Sequence, residues 1–256
     1  MPHPLARLWS VAAPLAAAAA LAAPAAALDL EALSDAERTA FRAEVRAYLL
    51  ENPELLLEVI AVLEDRQAAA QGADESALIA AHAEALFDNP NSWVGGNPEG
   101  DVTVVEFVDY NCGFCRRAFA EVMEMVEADS GVRLVMKEFP ILGPDSEEAS
   151  RFAIAVLQLE GDEAYAEAHR RLLTMEGRAA GPALARVAGE MGLDMDAISE
   201  RMQAPEVSAV IDANRALAQA LGINGTPTFI VEDRMLRGFL PADGMLELVE
   251  AVRADG

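Results

Sequence analysis

The two cysteines of the chain stand three residues apart, at Cys112 and Cys115. They follow an apolar, β-branched run over 102–108 that is typical of a buried strand, and a helical pattern comes directly after them. Unpaired N–H groups and the positive end of the dipole stabilise an anion at a helix start, so a thiolate is favoured at Cys112. Thiolate is the nucleophile of disulfide exchange. Cys115 returns to the same helical face, so the spacing predicts an attacking sulfur and a resolving one.

Glu106 stands inside the apolar run, six positions before Cys112. Burying a carboxylate is costly unless it is protonated or paired, so an acid at this position needs an explanation. One interpretation is a buried acid beside the cysteines. The other is a solvated glutamate on the outer side of the strand that pairs with Lys137.

The composition limits the classes of partner. The chain has 256 residues, of which 53% are hydrophobic, which is enough for one domain of ordinary size and an extension. Its formal net charge is −24. Nucleic acid and anionic membranes would repel such a chain, so we expect neither as a partner.

Residues 1–27 differ in kind from the rest. Arg7 supplies a small positive region, 8–21 is apolar and alanine-rich, and three alanines ending at Ala27 are suited to cleavage. This pattern predicts a secretory signal peptide that is cut after Ala27. An uncleaved membrane anchor is the alternative, and two prolines and the weak apolarity of alanine argue against it.

The segment 28–90 is predicted to be helical. A capping box at Ser34 begins one helix, and Pro53 stands at the first position of a second, whose apolar surface is wider than a lone amphipathic helix needs. A polar, alanine-rich break over 67–74 is expected before a further helix that ends near Pro90. This segment is interpreted either as an oligomerisation module or as a docked extension.

Beyond a linker over 91–100, the periodicity predicts an α/β domain. A strand, the helix after the cysteines and a second strand over 132–141 suggest a right-handed βαβ unit. The pattern is then helical from about 146 to 221, which indicates a helical subdomain inserted into the α/β frame. After the insertion, the pattern predicts two more strands joined by a turn at 232–234. A last helix is predicted to begin at Pro241.

Residues 91–256 resemble the DsbA-like family of thioredoxin-fold thiol:disulfide oxidoreductases. The resemblance is carried by EFVDYNCGFC, by the helical insertion and by GINGTPTF. It implies a thioredoxin fold, a cis Pro227 whose loop faces Cys112, and a buried Glu106 that passes protons during exchange. It also places Thr226 and Pro227 against the client protein.

The pair between the cysteines is Gly113 and Phe114, and Thr226 precedes the proline. These features are more similar to DsbC-type isomerases than to a strongly oxidising DsbA. We expect Gly113 and Phe114 to contact the client together with the proline loop. The sequence FRAEVRAYLLENPELLLEVIAVLE resembles the N-terminal extension of ScsC-type proteins, where it supports oligomerisation.

We therefore expect a periplasmic thiol:disulfide oxidoreductase, acting as an oxidase or an isomerase. Its expected partners are exported proteins with cysteines, a membrane redox partner and, through 28–90, further copies of itself. No cofactor is expected beyond the redox-active cysteine pair, and no metal.

Two other classes remain as alternatives. The first is a zinc- or copper-binding thiol protein, for which the only histidines beyond the predicted cut are His82 and His169. Both histidines are predicted to lie on helix surfaces in solvent. The second is a holdase or scaffold in which the disulfide is structural.

Overall fold

A five-stranded mixed sheet carries the cysteine region. The structure is a computed structural model and describes residues 33–255, so the predicted signal peptide and its cut lie outside the described residues. The strands are β1 (Val94–Gly96), β2 (Val102–Val108), β3 (Val132–Glu138), β4 (Thr228–Val231) and β5 (Arg234–Arg237). Their order is β1-β3-β2-β4-β5, and only β2 and β3 run parallel.

The central strands β2 and β3 are buried on both faces, which explains their nearly continuous apolar runs. In register, Val105 lies opposite Val135 and Val108 lies opposite Glu138. β3 ends at Glu138, three residues before the predicted end. Pro140 follows shortly and has no N–H to donate to a ladder.

Helix α4 (Gly113–Ala128) connects β2 to β3 and completes the predicted βαβ unit. Its buried side chains recur every three or four residues, at Cys115, Ala118, Val122 and Met125. This face packs into the main core, and the last helix, α10 (Ala242–Asp255), packs against α4. The reactive end of α4 is thereby fixed on the sheet.

Five helices fill the segment in which the sequence predicts a helical insertion, so that prediction is confirmed. They are α5 (Pro144–Glu160), α6 (Asp162–Thr174), α7 (Pro182–Met191), α8 (Met195–Met202) and α9 (Pro205–Ala220). Gly161 has φ of 85° at the junction of α5 and α6, a backbone conformation that glycine adopts without strain.

Arg116 ties the start of α4 to the inserted helices. Its guanidinium donates to the carbonyls of Tyr110, Met175 and Leu172, with N···O distances of 2.9, 2.8 and 3.3 Å. Hydrogen bonds donated by a charged group contribute more to folding stability than hydrogen bonds between neutral groups. Removing the guanidinium would leave these three carbonyls without their charged donor.

We expect Arg116→Ala to lower the free energy of unfolding by about 2–4 kcal/mol, measured by urea denaturation. The matched control is Arg117→Ala. Arg117 is exposed, forms no ion pair within residues 33–255 and lies 4.4 Å from the centroid of the Phe114 ring. Its loss should change stability by about 1 kcal/mol or less. Equal effects of the two substitutions would show that the Arg116 contacts contribute little.

Three helices precede the sheet: α1 (Asp35–Glu51), α2 (Glu54–Ala81) and α3 (Ala83–Phe87). The capping box at Ser34 is present, with both reciprocal hydrogen bonds to Glu37. The break predicted over 67–74 is wrong, because α2 is continuous there. The segment holds no proline, alanine is the strongest helix former, and the single Gly72 costs only about 1 kcal/mol.

The described chain divides into two compact units between Val62 and Leu63, within α2, rather than near residue 90. The sequence pattern predicts a helical extension that ends near residue 90. The boundary between the units lies earlier, because Ile79 and Leu86 are buried in a cluster with Val105 of β2. The end of this predicted extension, from Ile79 to Phe87, therefore packs into the core of the sheet-bearing unit.

In the described part of the first unit, 33–62, α1 buries no residue. Large apolar side chains of both α1 and the first part of α2 are exposed in this unit: Phe41, Val45, Tyr48, Leu50, Leu56, Leu57, Val59, Ile60 and Val62. Among residues 33–255, no helix has both the length and the apolarity that a membrane span requires.

Candidate active site

Cys112 caps the N-terminus of α4, as the sequence predicts. Its backbone is extended, with φ −80° and ψ 118°, and its Sγ lies 3.1 Å from the carbonyl oxygen of Thr226. The residue is only 6% exposed. The sulfur is therefore held between the first turn of α4 and the loop before β4.

The loop before Cys112 is fixed by Asp109. Its carboxylate accepts hydrogen bonds from the backbone N–H groups of Asn111, Ile141 and Leu142, at 2.8, 2.9 and 3.1 Å. Its carbonyl accepts from the N–H of Cys112 at 3.0 Å. This aspartate joins the ends of β2 and β3, so the position of Cys112 does not depend on α4 alone.

The surroundings of Cys112 favour the thiolate. A hydrogen bond from the Cys115 side chain is the largest cause that lowers the pKa of Cys112, to about 5 from its ordinary value of 9.0. Hydrogen bonds from the N–H groups of Cys115 and Phe114 lower the pKa further, and burial opposes them. At neutral pH this sulfur is an anion and a nucleophile.

Cys115 is in the opposite state. It is completely buried, and burial is the largest cause that raises the pKa of its thiol far above the ordinary value. The hydrogen bond to Cys112 and the nearby Glu106 raise it further. Both cysteines are free in the structure. The two sulfurs thus differ: the surroundings favour the thiolate at Cys112 and the protonated thiol at Cys115.

The peptide bond between Thr226 and Pro227 is cis, as the family resemblance implies. The loop faces Cys112 through the Thr226 carbonyl. Next to it lies a pocket of about 210 Å³, lined by Phe114, Asn224, Gly225, Thr226, Pro227, Thr228, Arg237 and Gly238. Gly113 is exposed on the same helix end, and Phe114 is 58% exposed. The exposed end of α4 and the proline loop thus border the same pocket beside Cys112.

Glu106 is buried beneath the cysteines, with 2% of its surface exposed. Its Oε1 has no hydrogen-bond partner within residues 33–255. Burial is the largest cause that raises its pKa, to about 8, and the charges of Glu138 and Cys112 add to the effect. Glu106 therefore holds a proton at neutral pH.

The alternative in which Glu106 pairs with Lys137 is wrong. Successive side chains of a strand point to opposite faces, and Lys137 is paired in register with Phe107, the neighbour of Glu106. Lys137 is buried on the other side, where its Nζ donates to the Ala85 carbonyl at 2.6 Å and to Ser92 Oγ at 2.7 Å.

The sequence interpretation missed a buried polar cluster beside Glu106. Glu138 Oε1 accepts hydrogen bonds from the hydroxyls of Tyr110 and Tyr165, at 2.7 and 2.6 Å. His169 Nδ1 lies 3.0 Å from the Tyr110 hydroxyl. Burial raises the pKa of Glu138 to about 7, while the two tyrosine hydrogen bonds oppose that rise.

The prediction that His169 is solvated is wrong, because the residue is 5% exposed. It belongs to the buried face of α6, together with Tyr165 and Leu172, at spacings of four and three residues. That periodicity was the signal available in the sequence, and the neighbouring arginines obscured it. Burial lowers the pKa of His169 to about 3, so the ring is neutral.

His82, the other predicted surface histidine, is half-buried at the start of α3. Within residues 33–255, no group of three or more His, Cys, Asp or Glu side chains could hold a metal ion.

Comparison with known proteins agrees with this geometry. The family model of the DSBA-like thioredoxin domain matches residues 103–252, more than half of the chain. The chain belongs to this DSBA-like family. A second model, the N-terminal domain of the copper resistance protein ScsC, matches residues 37–70 of this DSBA-like protein. The chain thus combines a DSBA-like thioredoxin domain with an N-terminal helical extension.

Two solved structures illustrate the likeness. A thioredoxin-like oxidoreductase from Silicibacter pomeroyi DSS-3 is 49% identical, with a TM-score of 0.63, and the match covers 67% of this chain and 97% of that one. Proteus mirabilis ScsC in a transitional conformation is 26% identical, with a TM-score of 0.65, over 89% of this chain and 100% of that one.

The DSBA-like chain also matches part of larger curated proteins. An Na(+)/H(+) antiporter NhaA 1 of Salinispora arenicola is 29% identical over 152 residues, which are 59% of this chain and 23% of the antiporter. The chain thus spans about a quarter of the curated relatives it matches.

Proposed function

We propose that the protein exchanges disulfides with exported client proteins through Cys112 and Cys115. The observation that carries this proposal is the asymmetry of the pair. Cys112 is a stabilised thiolate at a helix start beside the cis-proline loop, and Cys115 is a buried thiol. We therefore assign attack to Cys112 and resolution to Cys115.

In the reducing direction, the Cys112 thiolate attacks one sulfur of a client disulfide, and the other client sulfur leaves as a thiolate. Cys115 then loses its proton and attacks Cys112 Sγ, which releases the second client thiolate. The enzyme dithiol becomes a disulfide and the client disulfide becomes a dithiol. The reverse sequence donates a disulfide to a client.

Glu106 is proposed to receive the Cys115 proton. The Cys112 charge is one of the causes that raise the pKa of Glu106. Forming the mixed disulfide removes that charge, so Glu106 can release its own proton to solvent and, as a carboxylate, accept the proton of Cys115. In the reverse direction, Glu106 returns the proton to Cys115.

The cis-proline loop and the exposed end of α4 are proposed to hold the client. An extended client segment beside Thr226 and Pro227 would pair with backbone groups, while Gly113 and Phe114 border the pocket from the other side. This arrangement recognises a backbone and an apolar neighbour rather than one sequence, which suits an enzyme that acts on many proteins.

Refolding assays test the proposal and separate its two directions. The oxidised enzyme is mixed with a reduced, unfolded substrate protein, and the reduced enzyme with a scrambled one. An oxidase regains substrate activity in the first assay and needs Cys115. An isomerase regains it in the second and retains activity in Cys115→Ser. Absence of activity in both assays would contradict the proposed function.

We further propose a periplasmic location, a membrane redox partner that resets the cysteine pair, and self-association through the N-terminal unit. The signal-like sequence of 1–27, the match to the ScsC N-terminal domain and the exposed apolar side chains of 33–62 support these points. Mass in solution tests self-association: the full mature chain should be oligomeric, and a chain starting at Leu63 should not.

A further inference from the structure

Glu106 and Glu138 form a buried pair of carboxyl groups beneath the cysteines. Val108 lies opposite Glu138 in the parallel register of β2 and β3, so their side chains point to the same face of the sheet. Glu106 is two residues before Val108 on β2, and it therefore points to that face as well. Both glutamates thus lie on the same face of the sheet. They are 2% and 4% exposed, and each keeps one buried oxygen without a hydrogen-bond partner in the described chain.

The two carboxyl groups are not equivalent. Glu138 Oε1 accepts hydrogen bonds from the Tyr110 and Tyr165 hydroxyls at 2.7 and 2.6 Å, whereas Glu106 Oε1 accepts none within residues 33–255. Hydrogen bonds donated to a carboxylate favour its charged form. If the buried pair holds a single negative charge, that charge is better placed on Glu138.

We propose that Glu138 is a positioning residue for disulfide exchange: its carboxylate accepts the hydrogen bonds of Tyr110 and Tyr165, and its negative charge keeps the proton on Glu106. The inference deepens the proposed function, since it rests on Glu106 exchanging a proton with Cys115. Glu138 touches neither the client nor the reacting sulfurs in this account. It determines the pH at which Glu106 can accept a proton.

The groups that face the pair come from every element around it, and most are anionic or neutral. Those around Glu106 are Cys112, Cys115 and Glu138, and those around Glu138 are Tyr110, Asp109, Ser150, Tyr165 and His169. No lysine or arginine of residues 33–255 forms an ion pair with either glutamate, and Lys137 points to the other face. Two charges on the pair would therefore repel without compensation.

The directions of the pKa shifts agree with this geometry. The pKa of both glutamates is raised by burial, and the charge of Glu138 is the second cause of the rise at Glu106. His169 is neutral, so it does not offset the charge on Glu138. The proton on Glu106 is thus maintained through Glu138 by two tyrosines, Tyr110 before the cysteine pair and Tyr165 on α6.

The test is the ionisation of Glu106 in the reduced protein, followed by the infrared band of protonated carboxyl groups and assigned by its loss in Glu106→Gln. We expect Glu138→Gln to move the midpoint of Glu106 down by about one pH unit or more. Tyr165→Phe deletes a single oxygen and one donor to Glu138, and it should move the midpoint in the same direction by less.

The matched control is Asn214→Ala. Asn214 Nδ2 donates to the backbone carbonyl of Glu138 at 3.0 Å, so this change perturbs the same residue and leaves its carboxylate unchanged. An unmoved midpoint in Glu138→Gln and Tyr165→Phe, or an equal shift in Asn214→Ala, would overturn the inference. If the midpoint moves as expected while Glu106→Gln exchanges disulfides at the normal rate, the coupling stands and the proposed role of Glu106 fails.

Discussion

Replacing Cys112 with serine is expected to reduce disulfide exchange to the uncatalysed rate. A serine hydroxyl is not ionised at neutral pH and cannot form a mixed disulfide, so the surrounding hydrogen bonds have no thiolate to stabilise. The measurement is the rate at which the reduced protein cleaves a disulfide-bearing peptide, with cleavage followed by mass spectrometry.

Cys115→Ser is the matched variant, since it changes the same atom three residues along the helix. It should attack the peptide and then accumulate the mixed disulfide on Cys112, because no second sulfur resolves it. The serine hydroxyl can still donate a hydrogen bond to the Cys112 thiolate. An adduct that forms as readily in Cys112→Ser as in Cys115→Ser would contradict the assignment of roles.

Glu106→Gln is expected to stabilise the protein at alkaline pH and to slow exchange. The pKa of Glu106 is about 8 in the folded chain, against an ordinary value of 4.5. Between these two values the folded state binds more protons than the unfolded state, so the free energy of unfolding falls as pH rises through this window. Glutamine is neutral at every pH, so in Glu106→Gln the free energy of unfolding no longer falls through this window.

The expected gain at pH 8 is on the order of a few kcal/mol, and near pH 4 it should be close to zero. Exchange should slow by about 10²-fold, because glutamine cannot accept the Cys115 proton. Urea unfolding at both pH values and peptide-disulfide exchange rates measure the two effects. Glu147→Gln is a suitable control, since Glu147 pairs with Arg151 and Arg215, away from the cysteines. A gain that is equal at both pH values would contradict the buried-acid account.

Local sequence patterns predicted the parts of the site that lie within one stretch of chain. The strand, the cysteine pair and the helix after it are contiguous, so the N-terminal position of Cys112 on α4 follows from their order. The cis bond at Pro227 came from family resemblance, since its neighbouring residues alone are also compatible with an ordinary turn.

Features that depend on contacts between distant segments were not predictable. Glu138, Tyr110 and Tyr165 meet only because β3, the loop after β2 and α6 converge. In the same way, the alanine-rich part of α2 gave no local sign that Ile79 is buried with residues of the sheet. Such burial is decided by tertiary packing rather than by local composition.

The most direct test of the central claim is a titration of the reduced protein, in which thiolate is followed by its ultraviolet absorbance. The account predicts one thiolate that forms with a midpoint near pH 5, assigned to Cys112 by its absence in Cys112→Ser, while Cys115 stays protonated. A Cys112 midpoint near the value of an ordinary free thiol, about 8.5, would contradict the account.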